Sequence, residues 1–254
     1  MAHGLGLSSA HNYYVNVDYP LEIDGLVLWL KYNTGYTSEN DETSEAHNLD
    51  DNDRIKKWSD RSGNGNDAQQ STASDMPKYQ ISDGSLNWLT GSRWFDLKES
   101  ILIEAEEDFT LIMRINFAST SNDAFFGDSS NDFFMIIDAN TFRVKIGGAG
   151  QSNFAEATKA IGTAGFYTIM LIRSGGDNLN VFVNGADQKD QDWDAAEGAT
   201  DNDAFTISNI GSTADDTNEL GGYVKDVLIY KGAALDEGQR LLMYSYLDAQ
   251  LSVS

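Results

Sequence analysis

The chain has 254 residues, no cysteine and a formal net charge of -23, from 40 acidic and 17 basic residues. The lack of cysteine excludes disulfides, thiolate metal sites and cysteine nucleophiles, and a negative surface repels phosphate backbones, which argues against nucleic acid as a partner. No run of about 18 apolar residues occurs, and the N-terminal stretch lacks the basic and apolar regions of a secretory signal, so we expect neither membrane insertion nor export.

The N-terminal residues show no regular hydrophobic period but carry Tyr13, Tyr14 and Tyr19. We predict an extended N-terminal arm over residues 1–24. Such an arm can dock on a neighbouring subunit through its tyrosines or lie across its own domain. The sequence leaves both interpretations open.

From Leu26 onward, short apolar runs alternate with turn-rich segments, a pattern typical of β-sandwiches. Phe109–Phe117 alternates between apolar and polar residues, so one face of this strand is expected to meet the core. Phe166–Arg173 is apolar on both faces, and a glycine-containing turn joins it to Leu179–Asn184, as in a hairpin. Further strands are predicted at Leu26–Lys31, Phe133–Ile137, Phe142–Ile146, Phe205–Ile210 and Tyr223–Tyr230.

A single helix is predicted near the C-terminus. Asp236 and Gln239 have the spacing of a helix-capping pair. They precede apolar residues spaced as one helical face: Leu241, Leu242, Tyr246, Leu247 and Leu251. The polar stretch from Thr34 to Arg54 is predicted to be a long surface loop. These patterns predict one domain of two packed sheets over residues 25–254, closed by the helix.

Several segments, in order, resemble the concanavalin A-like lectin and glucanase superfamily, specifically its laminin-G-like branch found in bacterial and phage proteins. The most specific is Trp58–Ala68, with the sequence WSDRSGNGNDA. The supporting segments are Gly25–Leu30, Val181–Gly185, Gly222–Tyr230 and Leu235–Leu247. The resemblance implies an all-β fold, a two-sheet antiparallel jelly-roll sandwich (concanavalin A-like), with loops at one edge that in relatives can hold calcium or sugar.

Calcium is the only cofactor for which the sequence suggests a mechanism. Asp60, Ser62, Asn64 and Asn66 place side-chain oxygens at alternating positions, as a calcium loop does. The twelfth position is Ser71, where a calcium loop would carry a bidentate Glu. The alternative is a tight turn held by side-chain-to-backbone hydrogen bonds, with a neighbouring tryptophan, Trp58, in the core.

Three tryptophans are candidate platforms for a sugar ring: Trp193, Trp88 and Trp94. Trp193 is the strongest candidate, because it lies in the polar run DQDWDAAEGATDND, where a core role is hard to argue. The alternative is a tryptophan that folds back over the edge of the sandwich.

Glycoside hydrolysis would need two carboxylates projecting from one strand face. The nearest acidic groups are Glu39, Asp41 and Glu45, then Glu104, Glu106 and Glu107. The first group departs from the spacing of glucanases with this fold, and the second resembles a charged turn. The three histidines also offer no catalytic or zinc spacing. We therefore predict that the chain is not an enzyme and has no catalytic residues.

The leading hypothesis for function is a virion component of a tailed bacteriophage, such as a capsid decoration protein, assembled in the host bacterial cytoplasm. Its partners would be other virion subunits or copies of itself, docked through the arm. The alternative is an extracellular carbohydrate-binding module for surface glycans, and a glycoside hydrolase ranks third. Recovery from purified particles would favour the first hypothesis, and glycan binding abolished by Trp193→Ala would favour the second. Release of reducing sugar from a β-glucan would favour the third.

Overall fold

Two antiparallel β-sheets pack face to face in the computed structural model, which describes residues 19–39, 49–89, 93–118, 122–128, 132–138, 141–147, 150–155, 163, 165–184, 202–213 and 218–249. One α-helix, α1 (Glu237–Ala249), follows the last strand. Short 3-10 helices lie at Tyr19–Glu22 and Ala73–Asp75. The predicted two-sheet sandwich with a C-terminal helix is confirmed.

The first sheet contains seven of the described strands. These are β1 (Leu26–Leu30), β5 (Lys78–Tyr79), β6 (Leu86–Asn87), β8 (Phe109–Phe117), β13 (Tyr167–Ser174), β14 (Asn178–Val183) and β16 (Gly222–Lys231). Their spatial order is β14, β13, β8, β16, β6, β5, and β1 also pairs with β16. The long strands β8 and β16 therefore lie at its centre.

The second sheet contains nine of the described strands. These are β2 (Tyr36–Ser38), β3 (Ile55–Trp58), β4 (Ala68–Gln69), β7 (Phe95–Ile103), β9 (Asp123–Gly127), β10 (Phe133–Asp138), β11 (Thr141–Ile146), β12 (Gly150–Ala155) and β15 (Phe205–Ile210). Their order is β12, β11, β10, β9, β15, β7, β4, β3, β2. The pairing is antiparallel throughout, as in sandwiches that bury one face of each sheet.

The main core lies between the two sheets and is rich in aromatic rings. Phe125 packs against Phe134 and Phe142, with ring centroids 4.8 and 6.1 Å apart. Trp58 is fully buried and lies 5.2 Å from the ring of Tyr36. Each such ring contributes roughly 1.5–3 kcal/mol by leaving water, so the sandwich needs no disulfide.

A second core covers the outer face of the first sheet, where α1 packs on Trp29, Ile112 and Leu228. The predicted capping pair is confirmed: Gln239 N–H donates to Asp236 Oδ1 (2.9 Å), and Asp236 N–H donates to Gln239 Oε1 (3.0 Å). These bonds satisfy backbone donors that the first helical turn leaves open.

The predicted apolar face of the helix was partly wrong. Tyr246 and Leu247 are buried, but Leu241 and Leu242 are 40% and 48% exposed. Met243 is the third buried residue of α1; its spacing of three and four residues from Tyr246 and Leu247 defines the face that meets the sheet. Leu251 lies outside the described residues.

The packed body begins ahead of the predicted boundary at residue 25. Ile23 is buried with the helix core, and Tyr230 Oη donates to the carbonyl of Pro20 (3.1 Å). The Tyr19 ring lies 6.3 Å from Tyr246. Of the two interpretations of the arm, Tyr19 therefore follows the second and packs on its own domain. Tyr13 and Tyr14 lie outside the described residues.

The stretch from Thr34 to Arg54 is not simply a surface loop. It contains β2, whose Tyr36 is fully buried, and Leu49 is also buried. β2 pairs with β3, and Tyr36 of β2 contacts Trp58 of β3. This part of the stretch therefore belongs to the second sheet. Residues 40–48 lie outside the described part of the chain.

Candidate functional site

The described tryptophans proposed as sugar platforms lie in the interior. Trp88 is 1% exposed and packs edge-on against Phe95 at 5.9 Å, and Trp94 is 9% exposed. A ring with no exposed face cannot stack on a sugar from solvent, which corrects the prediction for both residues. Trp193 lies outside the described residues, and its role stays a prediction.

The predicted calcium segment forms a hydrogen-bonded turn centred on Asp60. Its Oδ1 accepts from the backbone N–H groups of Trp29 (2.9 Å) and Ser62 (2.8 Å). Its Oδ2 accepts from the Ser62 hydroxyl (2.7 Å) and Asn66 N–H (3.0 Å). Four donors fill the acceptor positions of this one carboxylate. Calcium binding at this turn stays a prediction.

The remaining side chains of this turn attach it to β1. Asn64 donates a side-chain amide hydrogen to the carbonyl of Leu26 (3.0 Å), and Asn66 donates one to the carbonyl of Val27 (2.9 Å). Both acceptors lie in β1. Gly63 has a φ of 91°, a conformation that favours glycine. In the described part of the chain, no group of three or more histidine and acidic side chains is placed to hold a metal ion. The turn interpretation is the one that these contacts support.

Replacing Asp60 with Ala should lower the free energy of unfolding by about 2 kcal/mol, because several N–H donors lose a charged acceptor. Urea denaturation would measure the change. The exposed Asp24 provides a control, since Asp24→Ala should change stability by less than about 0.5 kcal/mol. We expect a chelator to leave the Tm of the unmodified protein unchanged; a fall would establish calcium instead.

The acidic residues considered for hydrolysis have structural contacts. Glu104 N–H donates to Glu107 Oε2 (2.8 Å) within the turn between β7 and β8, and Glu107 also faces the Lys231 ammonium at 3.6 Å. Glu39 forms an ion pair with Arg54 (3.2 Å) at the surface. Asp41 and Glu45 lie outside the described residues.

A β-bulge in β16 creates the most unusual polar cluster of the described structure. The pairing of β16 with β8 shifts register between Val224 and Asp226, so Lys225 is an extra residue opposite the Ile115–Arg114 step. Val224 and Val227 both enter the main core. Bulges re-aim side chains and are common beside functional sites. We call the cluster of Tyr32, Asp83, Arg114, Phe166, Lys225 and Asp226 the bulge site.

Lys225 is the central cation of the bulge site. Its residue is 3% exposed, and its ammonium lies 4.8 Å from the centre of the Tyr32 ring and 4.4 Å from that of Phe166. The nearest carboxylate oxygen is Asp83 Oδ2, at 4.0 Å. No hydrogen bond from the ammonium to another described residue is formed. Burial lowers the pKa of Lys225, and the Asp83 charge opposes this effect.

Asp226 lies beside Lys225 and is 1% exposed. Its Oδ1 accepts one hydrogen bond, from Tyr32 N–H (3.0 Å). Burial raises the pKa of Asp226 to about 6; the Tyr32 hydrogen bond and the charges of Arg114, Lys31 and Lys225 lower it only in part. A buried carboxylate with one hydrogen bond is costly to keep, and such groups concentrate at functional sites.

Arg114 completes the inner wall of the bulge site. It is 1% exposed, and it donates to Asp248 Oδ1 (2.9 Å) at the end of α1 and to the Thr168 hydroxyl (3.1 Å). Its Nε has no hydrogen-bond partner in the described structure. Three neighbouring buried charges of the bulge site thus keep unused hydrogen-bonding capacity.

Tyr32 and Asp83 form the outer rim. Tyr32 Oη donates to the Asp83 carbonyl (2.8 Å), and both residues are partly exposed. Asp83 Oδ1 accepts from the Ser85 N–H (3.0 Å) and hydroxyl (2.6 Å), which fixes the direction of the carboxylate. The outer rim of the bulge site is therefore in contact with solvent at Tyr32 and Asp83.

Sequence reasoning missed the bulge site. The available signal was the pair Lys225-Asp226 inside the otherwise apolar run Tyr223–Tyr230. Arg114 was assigned to the polar face of its strand, yet Thr110 and Arg114 are both buried. Both faces of β8 are covered, because α1 packs on the side away from the main core.

Comparison with known proteins identifies the family. The Laminin_G_3 family model, described as Concanavalin A-like lectin/glucanases superfamily, matches residues 89–238. The chain belongs to the concanavalin A-like lectin/glucanase superfamily. The resemblance stated from the sequence is thus confirmed, and so is the jelly-roll sandwich of this superfamily. No curated protein matches the chain.

Solved structures with a similar fold include two binding domains. The binding domain of botulinum neurotoxin serotype G has 15% identity and a TM-score of 0.55, over 88% of this chain and 51% of that one. The binding domain of Paraclostridial Mosquitocidal Protein 1 has 15% identity and a TM-score of 0.53, over 88% and 53%. A Trypanosoma rangeli sialidase has 14% identity and a TM-score of 0.49, over 89% and 33%.

The chain spans about a third to a half of the length of these solved chains. At this level of identity the likeness shows the fold alone. Among the described helices, none combines the length and the apolar character needed to cross a bilayer.

Proposed function

We propose that this superfamily member is a non-catalytic, lectin-like domain that binds glycans at the bulge site. One observation carries the proposal: the buried Lys225 ammonium lies between two aromatic rings, forms no hydrogen bond to a described residue and is 4.0 Å from the Asp83 carboxylate. A buried cation with unused donors beside a partly exposed carboxylate favours a polar ligand.

Saccharides suit this arrangement chemically. A sugar hydroxyl can accept a hydrogen bond from Lys225 and donate one to Asp83, since a hydroxyl group is both donor and acceptor. The half-buried Tyr32 and Phe166 offer apolar ring surface beside those polar groups, the combination that sugar rings require.

The comparisons support a binding role by analogy. The similar structure from Paraclostridial Mosquitocidal Protein 1 is described as a binding domain, and one from botulinum neurotoxin D as a receptor binding domain. For this chain, binding without catalysis remains our proposal, with support from the ion pairs that occupy the carboxylates of Glu107 and Glu39.

Lys225→Met should weaken binding of the best saccharide on a glycan array by about tenfold, because one charged hydrogen bond is lost. Methionine keeps the apolar stem between the two rings, so the fold should persist. Isothermal titration calorimetry with that saccharide would give both affinities.

Lys98→Met is the matched control, because Lys98 is exposed on the second sheet. We expect its saccharide affinity to equal that of the unmodified protein. Equal affinities for Lys225→Met and the unmodified protein, with both proteins folded, would refute glycan binding at the bulge site.

The virion hypothesis is compatible with a glycan site and stays a prediction. It depended on an arm whose Tyr13 and Tyr14 lie outside the described residues. Stoichiometric recovery of the protein from purified phage particles would support that location, whereas its absence from them would favour the extracellular module.

A further inference from the structure

We propose that the bulge site selects saccharides that are neutral at the contacting ring and excludes those that carry a carboxylate there. This inference rests on the proposed function. The juxtaposition behind it is a buried ammonium, Lys225, and a fixed, partly exposed carboxylate, Asp83, at a separation that one hydroxyl group can bridge.

The distance between the two groups is the first argument. Asp83 Oδ2 lies 4.0 Å from Lys225 Nζ, beyond the roughly 3.2 Å limit of a good hydrogen bond. Because Ser85 occupies Asp83 Oδ1 with two hydrogen bonds, the Oδ2 atom faces the gap. A hydroxyl oxygen that lies to one side of this pair, about 2.8 Å from each atom, can accept from Lys225 and donate to Asp83. A carboxylate has no hydrogen to donate and would leave Asp83 without a partner.

Charge is the second argument. The Lys225 ammonium already has a carboxylate and two ring faces around it, and Asp226 is its neighbour in the chain. A ligand carboxylate at Lys225 would therefore lie close to Asp83, and like charges at such a separation disfavour each other. The protein's charge of -23 adds a repulsive field for any anion that approaches.

The pairing of Arg114 is the third argument. Arg114 is 1% exposed, and its Nη2 donates to Asp248 Oδ1 at 2.9 Å. The inner wall thus offers an anionic ligand no free positive charge.

The test compares matched ligands. Each neutral oligosaccharide that binds on the array would be compared with its counterpart in which the C6 hydroxymethyl group of one ring is oxidised to a carboxylate. We expect the oxidised form to bind about tenfold more weakly at low salt, with a smaller difference at high salt, where charges are screened.

Asp83→Asn separates charge from shape. Asparagine keeps an oxygen for the Ser85 bonds but turns an N–H₂ group toward Lys225. The neutral ligand should therefore bind several-fold more weakly, and the oxidised ligand should bind more tightly than it does to the unmodified protein. Asp75→Asn, at the exposed Ser74–Asp75 turn, should alter neither affinity.

The outcomes distinguish the two proposals. Opposite changes of the two affinities in Asp83→Asn support neutral selection. Oxidised ligands that bind equally well or better, in a manner lost in Lys225→Met, would overturn neutral selection but leave glycan binding in place. If neither ligand class shows binding that depends on Lys225, both neutral selection and glycan binding at the bulge site are overturned.

Discussion

Arg173→Met should lower the free energy of unfolding by about 4 kcal/mol, since each charged hydrogen bond to a backbone carbonyl contributes at least about 1.5 kcal/mol. Arg173 is fully buried and donates to three backbone carbonyls: Glu107 (2.8 Å), Asp203 (2.6 Å) and Glu104 (2.6 Å). Its guanidinium also lies 5.0 Å from the centre of the Phe109 ring. This side chain joins the first sheet to the turn before β8 and to the segment leading into β15.

Denaturant unfolding would measure the effect, with a fall in Tm of roughly 10 °C for a domain of this size. Arg173→Lys tests the mechanism, because a single ammonium cannot reproduce the planar fork that reaches three carbonyls; it should recover less than half of the loss. Arg54→Met removes only a surface ion pair with Glu39 and should cost less than about 1 kcal/mol. A loss for Arg173→Met no larger than that of Arg54→Met would contradict the structural role.

Local patterns predicted the fold well. Phe109–Phe117 and Phe205–Ile210 are strands with the predicted bounds, and the Asp236–Gln239 capping pair forms both of its bonds. Each of these features depends on the residue's own segment, through alternation or through a three-residue spacing. Features of this kind can be predicted from one sequence.

Features set by distant partners were harder to predict. The two-residue strand Leu86–Asn87 has too few residues for a visible alternation and exists because it pairs with Tyr223 and Val224. Trp88 follows this strand into the core. The helix face shifted because the position of the sheet beneath it, not the helix sequence, selects the buried side.

The bulge site could not be predicted for the same reason. Its residues come from the segments after β1, after β5 and before β13, and from the interiors of β8 and β16. The Lys225-Asp226 pair is visible in the sequence, but its burial depends on a register shift against Arg114. Charged residues within an apolar strand thus indicate a candidate polar site. Whether they contact other polar groups depends on the fold.

The bulge site should be a source of instability that binding offsets. Buried charges with few hydrogen bonds persist where function requires them, and their removal commonly stabilises a protein at the expense of activity. Asp226 is the clearest case, because its carboxylate has one hydrogen bond while it holds the backbone of the rim residue Tyr32.

Asp226→Asn should therefore stabilise the protein at neutral pH by about 3 kcal/mol, the equivalent of a pKa raised from 3.8 to about 6. In the folded state this carboxyl group holds its proton up to about pH 6, whereas in the unfolded state it releases it near pH 4. The unmodified protein consequently loses stability as pH rises through this window and keeps that loss above it. Asparagine cannot ionise and still accepts from Tyr32 N–H.

The difference in unfolding free energy between Asp226→Asn and the unmodified protein should grow from near zero at pH 4 to its full value above pH 7, as measured by urea denaturation at each pH. Taking the difference between the two proteins cancels the contribution of the many surface carboxylates, which titrate in both. As a control, Asp24→Asn at an exposed position should change the unfolding free energy little and by the same amount at every pH. A variant less stable than the unmodified protein at pH 7 would mean that Arg114 and Lys225 stabilise the Asp226 carboxylate more than burial penalises it. Stabilisation with saccharide affinity intact would instead show that the buried charge has no part in binding.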